Sequence, residues 1–192
     1  MSQIDVNVVL DAKGLACPMP IVKTKKEMKN LEPGQVVEVQ ATDKGSKADI
    51  QAWAKSAGHQ YLGTIEEGEV LKHYVRKSTT AEEKGEIKHP QISDNKSLEQ
   101  KLNANEDIVV VDVREAAEYA FKHIPNTINI PLGELEGRVA ELNKNDEIYI
   151  ICRTGNRSDL ASRQLTKLGF NKVYNVVPGI SEWTGETTSI KK

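Results

Sequence analysis

The sequence predicts an α/β protein built in two parts, and three observations predict it. Short apolar runs of strand type alternate with helix-period segments along the 192 residues. One charged stretch without apolar periodicity, "STTAEEKGEIKH" (78–89), breaks that alternation and is followed by Pro90, which reads as a linker. The apolar runs after it are unbroken, as in parallel strands buried on both faces. The chain thus divides into a first part, 1–77, a joining segment, 78–89, and a second part, 90–192. A flexible segment of that length spans roughly 20 Å root-mean-square.

In the first part, "VNVVLD" (6–11) reads as a strand. "PMPIVKTKKEMKNL" (18–31) reads as a helix opened by proline, which costs no hydrogen bond in a first turn. "PGQVVEVQAT" (33–42) is a turn and then a strand. "SKADIQAWAKSAG" (46–58) reads as a helix capped by Ser46, with Ile50, Trp53, Ala54 and Ala57 as its apolar positions and Gly58 as its stop. "HQYLGTIEEGEVLKHYVRK" (59–77) reads as two strands around Glu67-Gly68. The order βαβαββ packs most simply as a two-layer sandwich, one sheet covered on one face by two helices.

In the second part, "DIVVVDVRE" (107–115), "EIYIIC" (147–152) and "KVYNVV" (172–177) read as buried strands. "RSDLASRQLTKLG" (157–169) reads as a helix with Leu160, Ala161, Leu165 and Leu168 at helical spacing and Gly169 as its stop. This pattern implies an open, mainly parallel sheet with helices on both faces. Such sheets place their sites beyond the carboxyl ends of strands, where Cys152 sits.

Composition excludes several functions. The net charge of −2 argues against a general nucleic-acid binder or a binder of acidic membranes. Residues 1–77 carry 11 basic and 10 acidic groups, and residues 78–192 carry 15 and 18, so the second part is the more acidic. No apolar run is long enough to cross a bilayer. The first residues lack the basic region and apolar core of a signal peptide. The expected location is the cytoplasm, where Cys17 and Cys152 are thiols and not a structural disulfide. His59, His73, His89 and His123 give no metal-ligand spacing.

Cys152 ends an apolar strand and opens "CRTGNRS". A loop from Arg153 through Thr154 and Gly155 to Asn156 leads into a helix N-terminus, where free N–H groups and the helix dipole favour an anion. Gly155 lets the backbone curl so that N–H groups point inward, and Arg153 and Arg157 add permanent charge. A lone free cysteine is most often an inert buried thiol; in this setting it reads as a nucleophile beside a loop that binds an anionic substrate. Cysteine phosphatases use a Cys-x5-Arg loop, whereas Cys152 to Arg157 is one residue shorter.

With "VVDVREAAEYAFKHIPNTINIP" (110–131) and "NVVPGISEW" (175–183), this loop makes the second part resemble a rhodanese domain over about 90–183. The resemblance implies a persulfide carried on Cys152 within the six-residue loop. Asp112 and Arg114 read as an ion pair supporting the neighbouring loop. His123 reads as a structural turn residue, and Trp183 as core or pocket wall. Asn126 stands where that family often has glycine, and Asn tolerates a left-handed backbone best after Gly.

Cys17 precedes Pro18 and Pro20 at the start of a helix carrying Lys23, Lys25, Lys26 and Lys29. At a helix N-terminus its thiolate is expected to be favoured. Through "DAKGLACPMPIVKTKKEM" (11–28) and "ATDKGSKADIQAWAKSAGH" (41–59), the first part resembles the TusA/SirA-like sulfur-carrier family over about 6–76. That resemblance implies a persulfide on Cys17 and no metal or cofactor. Lys44 stands where many members have proline. The lysine face offers a docking surface for acidic partners, the second part among them.

The sequence therefore reads as a two-domain sulfurtransferase. Cys152 takes sulfane sulfur from thiosulfate or a low-molecular-weight persulfide and passes it to an acceptor thiol. That acceptor is Cys17, a small thiol or a sulfur-relay protein; transfer from Cys17 to Cys152 is equally compatible. The loop residues Arg153 to Arg157 bind the donor, and Pro18, Pro20, Asp112 and Arg114 support the two cysteines. Neither a nucleic-acid nor a membrane partner is expected. The alternatives are a redox sensor or carrier with a Cys17–Cys152 disulfide, a phosphatase or arsenate reductase using Cys152, and a binding adaptor.

Overall fold

The computed structural model describes residues 3–78 and 85–190, which fold as two compact units dividing near residue 80. The first comprises β1 (Val8–Ala12), α1 (Met19–Met28), β2 (Val36–Ala41), α2 (Ser46–Ala57), β3 (Gln60–Glu67) and β4 (Val70–Arg76). The sheet order is β1-β2-β4-β3; β1 and β2 are parallel, and the other pairs are antiparallel. Strand alternation turns Ala12, Val37, Val39 and Val75 toward one face. There they pack against Met28, Ile50 and Ala54 of the two helices.

Two helix starts differ from the sequence reading. Pro18 is the residue before α1, and Pro20, which is buried, occupies the first turn. Ser46 does not cap α2, because Gly45 holds that position. The Ser46 hydroxyl instead donates to the Asp43 carbonyl (2.6 Å) and lies 2.8 Å from Nε2 of His73. It is thus drawn into the core by a buried imidazole. Thr64 Oγ1 lies 2.7 Å from the Nδ1 of the same ring.

The second unit contains β5 (Ile92–Asp94), α3 (Asn95–Asn103), β6 (Val109–Asp112), α4 (Ala116–Phe121), β7 (Ile128–Asn129), α5 (Leu135–Arg138), β8 (Ile148–Ile151), α6 (Asn156–Lys167) and β9 (Val173–Val177). The sheet order is β5-β9-β8-β6-β7, with every pair parallel. Val111, Ile148, Ile150 and Cys152 face Leu135 of α5 and Ala161 and Leu165 of α6. Val110, Tyr149, Ile151 and Val176 pack with Leu98 of α3, Ile180 and Trp183. Both faces of β8 are therefore dry, which is why its sequence is an unbroken apolar run.

The expected helix at 157–169 forms one residue earlier, and its buried face is rotated. Ser158, Ala161, Ser162 and Leu165 are buried, whereas Leu160 and Leu168 are 46% and 39% exposed. The serines are tolerated inside because the Ser162 hydroxyl donates to the Ser158 carbonyl one turn back (2.7 Å). The elements β5, α3, α4, β7 and α5 were not anticipated from sequence. The start of α3 is nevertheless well specified, since Asp94 accepts the Ser97 N–H at 2.6 Å.

Of the joining segment expected over 78–89, residues 79–84 lie outside the described residues. Its last residues are held by the second unit: the N–H groups of Lys88 and His89 both donate to Asp159 Oδ1 (2.8 and 2.7 Å). The His89 Nε2 lies 2.7 Å from the Val173 carbonyl.

Burial and, secondarily, the Lys47 charge push His73 down to about 4. The folded unit then binds fewer protons than the unfolded chain between pH 4 and 6.5, so its stability is full above about 6.5 and falls toward pH 4. Urea unfolding followed by Trp53 fluorescence in a Trp183→Phe background should show a loss on the order of 1–3 kcal/mol across that window. The His73→Gln variant should lose most of that slope; an equal slope in both proteins would contradict the assignment.

Candidate functional site

Cys152 directly follows the central strand β8, and its residue is 1% exposed. The chain then turns through Arg153, Thr154 and Gly155 into α6. Gly155 has φ of 93°, and this left-handed turn aims its N–H at Cys152 Sγ (3.2 Å). Ser158 Oγ, in the first turn of α6, is 3.3 Å from the same sulfur. Backbone and hydroxyl groups thus converge on one sulfur at a helix N-terminus, where negative charge is stabilised.

The loop is clamped from outside. The carbonyls of Cys152 and Arg153 accept the N–H groups of Ile180 and Ser181 at 2.9 and 3.0 Å. That approach requires Gly179, whose φ is 94°, because a β-carbon there would lie 2.4 Å from the Cys152 carbonyl oxygen. Asn95 fixes Gly179, accepting its N–H (3.1 Å) and donating to its carbonyl (2.8 Å). Asn175, buried in β9, donates to the Gly155 carbonyl at 3.2 Å.

The sequence-expected loop residues Cys152, Arg153, Thr154, Gly155, Asn156 and Arg157 therefore form one structure. Arg157 turns both terminal nitrogens to Glu118, at 2.7 and 3.0 Å. The Glu118 carboxylate has no exposed side-chain surface and also accepts the Glu115 N–H, at 2.9 Å, in a capping box on α4. Asp112 and Arg114 pair with each other at 2.7 Å, almost wholly buried, and Arg114 also donates to the Lys122 carbonyl. They brace the connection between β6 and α4, beside β8.

His123 is occupied structurally: Nδ1 lies 2.7 Å from the Tyr119 carbonyl, and the ring stacks on Tyr119. Asn126 has φ of 61°, the left-handed conformation anticipated for it. Trp183 is buried in the core cluster and donates to the Glu186 carbonyl.

Sequence reasoning missed Glu118, Ser158, Asn95, Asn175 and the role of Gly179. Two carried usable signals: Glu118 stands three residues after Glu115 at capping-box spacing. Asn175 is the single polar residue within the strand "VYNVV".

The setting of Cys17 differs. It is exposed, and it lies one residue outside the Pro18 cap position of α1. Its thiol donates to Asp49 Oδ2 at 2.9 Å. That hydrogen bond, some desolvation and the charges of Asp49 and Asp43 push the thiol up from its ordinary value. This corrects the expectation that the helix N-terminus favours the thiolate: the nearest partner of the sulfur is a carboxylate, which disfavours a second negative charge. Exposed Met19 and Val22 lie nearby on α1, and Lys23 reaches back to the Asp11 carbonyl (3.1 Å).

Both cysteines are free thiols. Among the described residues no cluster of His, Cys, Asp and Glu could hold a metal, and no helix is long and apolar enough to cross a membrane.

A family model described as sulfurtransferase TusA matches residues 8–77, and one described as a rhodanese-like domain matches residues 94–186. A Bacillus subtilis (strain 168) protein named "Putative sulfur carrier protein YrkF" is 57% identical over 180 residues, covering 94% of this chain and 97% of that one. The chain belongs to this TusA–rhodanese family. Each half also has relatives of its own. The sulfur carrier protein TusA of Allochromatium vinosum is 42% identical over 74 residues, 38% of this chain and 97% of that protein. A sulfurtransferase of the same organism is 37% identical over 90 residues, 47% of this chain and 84% of its own length. TusA–rhodanese membership makes this a protein of the sulfur-carrier and sulfurtransferase class.

Removing one partner of a buried ion pair leaves the other charge uncompensated. Glu118→Gln should therefore destabilise the second unit by about 3 kcal/mol in urea unfolding followed by Trp183 fluorescence; a loss below about 1 kcal/mol, typical of an exposed pair, would contradict the buried pairing. Gly179→Ala should cost more in the same measurement, enough to abolish cooperative unfolding of that unit, because its β-carbon would lie 2.4 Å from the Cys152 carbonyl oxygen; unfolding as cooperative as that of the unsubstituted chain would contradict the close approach.

Proposed function

We propose that the chain is a sulfurtransferase in which Cys152 takes sulfane sulfur from a small donor and relays it to an acceptor thiol, with Cys17 as an acceptor in the same chain. The observation that carries this reading is the convergence of the Gly155 N–H and the Ser158 hydroxyl on Cys152 Sγ at the mouth of α6. With thiosulfate as donor, the Cys152 thiolate attacks the outer sulfur and forms an S–S bond. The bond from that sulfur to the sulfonate breaks, and sulfite leaves with the electron pair. The negative charge on the new persulfide is met by the loop amides and the helix N-terminus.

Arg153, half-buried in the loop, draws in the anionic donor with Thr154 and Asn156 beside it. Arg157, tied to Glu118, holds the loop's shape. In the second step an acceptor thiolate attacks the outer sulfur of the persulfide, and Cys152 leaves as the thiolate. A thiol persulfide can serve as donor by the same displacement. The functional division is 1–77 as carrier, 78–89 as tether and 90–192 as the transferase, acting in the cytoplasm. Tethering raises the effective concentration of one cysteine for the other.

Thiosulfate-to-cyanide transfer tests this assignment. Cys152→Ser should lower the rate at least 100-fold and abolish the added sulfur seen by intact mass, whereas Cys17→Ser should retain most of the thiosulfate-to-cyanide rate. Retained activity in Cys152→Ser would contradict the assignment, as would a failure of both cysteines to take up sulfur from thiosulfate or a thiol persulfide.

A further inference from the structure

The two cysteines stand in opposite electrostatic settings. Cys152 accepts the Gly155 N–H and lies 3.3 Å from the Ser158 hydroxyl, with Arg153 in the loop and Arg157 at the start of α6. Cys17 sits beside carboxylates. Its sulfur is 2.9 Å from Asp49 Oδ2, and Asp43 stands behind. A β-carbon built on Gly45 would lie 3.6 Å from Asp43 Oδ2 and 3.8 Å from Asp49 Oδ2, so the two carboxylates flank the same turn before α2. Lys44 and Gly45 at that turn are exposed, and Asp43 and Asp49 are half-buried.

A carboxylate touching a nucleophilic sulfur has two consequences. It accepts the thiol's hydrogen bond, which holds the resting sulfur protonated, and it repels any anion that must approach that sulfur. Thiosulfate is a dianion at neutral pH; a persulfide R–S–SH need carry no charge beyond its own terminal sulfur.

We infer that Asp49 determines which donors Cys17 accepts: hydrogen-bonded to the Cys17 sulfur and backed by Asp43, it turns away the small dianion thiosulfate and leaves the position to persulfides, which carry at most the single charge of their terminal sulfur. This inference deepens the proposed function and rests on it for the sulfur step. In that step the Cys17 thiol yields its proton to Asp49 or solvent, and its sulfur attacks the outer sulfur of R–S–SH. A new S–S bond forms on Cys17, the old one breaks, and R–S⁻ departs with the electron pair, so no external oxidant or reductant is needed. Free thiosulfate then enters the chain at Cys152 alone, and Cys17 is loaded from a persulfide.

The test uses the full chain in a Cys152→Ser background, where Cys17 is the single thiol, and compares it with the same protein carrying Asp49→Asn. Alkylation by neutral iodoacetamide and anionic iodoacetate is measured from pH 6 to 10. The groups facing the sulfur are Asp49 and Asp43, so Asp43→Asn serves as a second variant, expected to shift the profile in the same direction by less. Asp49→Asn should move the iodoacetamide profile to lower pH, and iodoacetate should gain severalfold over iodoacetamide. An unchanged profile and an unchanged ratio of the two reagents would overturn the inference.

Loading of Cys17 is then read by intact mass with thiosulfate and with benzyl persulfide. The persulfide should load both proteins, while thiosulfate should load Cys17 only once Asp49 is neutral. Equal loading by both donors with Asp49 in place would overturn the inference. Loading by neither donor would instead remove Cys17 as a carrier, and the alkylation ratio would still decide the role of Asp49.

Discussion

The second unit depends on one constraint: the backbone leaving β8 must curl so tightly that an N–H three residues on points back at Cys152 Sγ. A free loop of five or six residues would not hold that shape. It is kept by hydrogen bonds to the loop's own carbonyls, from Ile180, Ser181 and Asn175, and by Glu118 on Arg157. Each clamp comes from a different part of the sheet's carboxyl end, so the strand order of the unit and the geometry of the site are one problem. Gly179 is the narrowest point, since no side chain fits between it and the Cys152 carbonyl. Glu118, Asn175 and Ile180 are themselves buried, so these clamps are held in place by the core around them.

The first unit solves a different problem with the same nucleophile. Its cysteine is exposed, outside the helix cap, and restrained by a carboxylate and not activated by amides. An exposed thiol held protonated reacts slowly with oxidants and chance electrophiles, because the thiolate is the reactive form. On the proposed function, that suits a group that receives sulfur and hands it on, and a buried thiol beneath the Gly155 N–H suits one that first attacks a donor.

Much of the fold was legible in the sequence because its signals are local. The alternation of Val37 and Val39, the proline-opened α1 and the apolar run of β8 each name their element within a few residues. The active loop was legible for the same reason, since Cys152, Gly155 and Arg157 are consecutive parts of one turn. Contacts distant in sequence were not legible. Glu118 meets Arg157 across 39 positions, and Asp49 meets Cys17 across 32; neither spacing belongs to any local period. The reading of Cys17 as an activated thiolate failed on that second contact, because a helix N-terminus predicts favourable amides and says nothing of a carboxylate from another helix. The buried face of α6 was misassigned because the Ser162 hydroxyl is satisfied one turn back and the Ser158 hydroxyl faces the Cys152 sulfur, so both serines occupy core positions that hydrophobic periodicity gives to leucine.

The order in which sulfur visits the two cysteines is the central claim, and a pulse of thiosulfate labelled with heavy sulfur at its outer atom tests it most directly. Samples of the wild-type chain are quenched by alkylation over a time course, and the peptides containing Cys152 and Cys17 are weighed. Entry at Cys152 predicts label there first, followed by its rise on Cys17 as the Cys152 label falls. Label on Cys17 before Cys152, or at the same rate in a chain lacking Cys152, would contradict it.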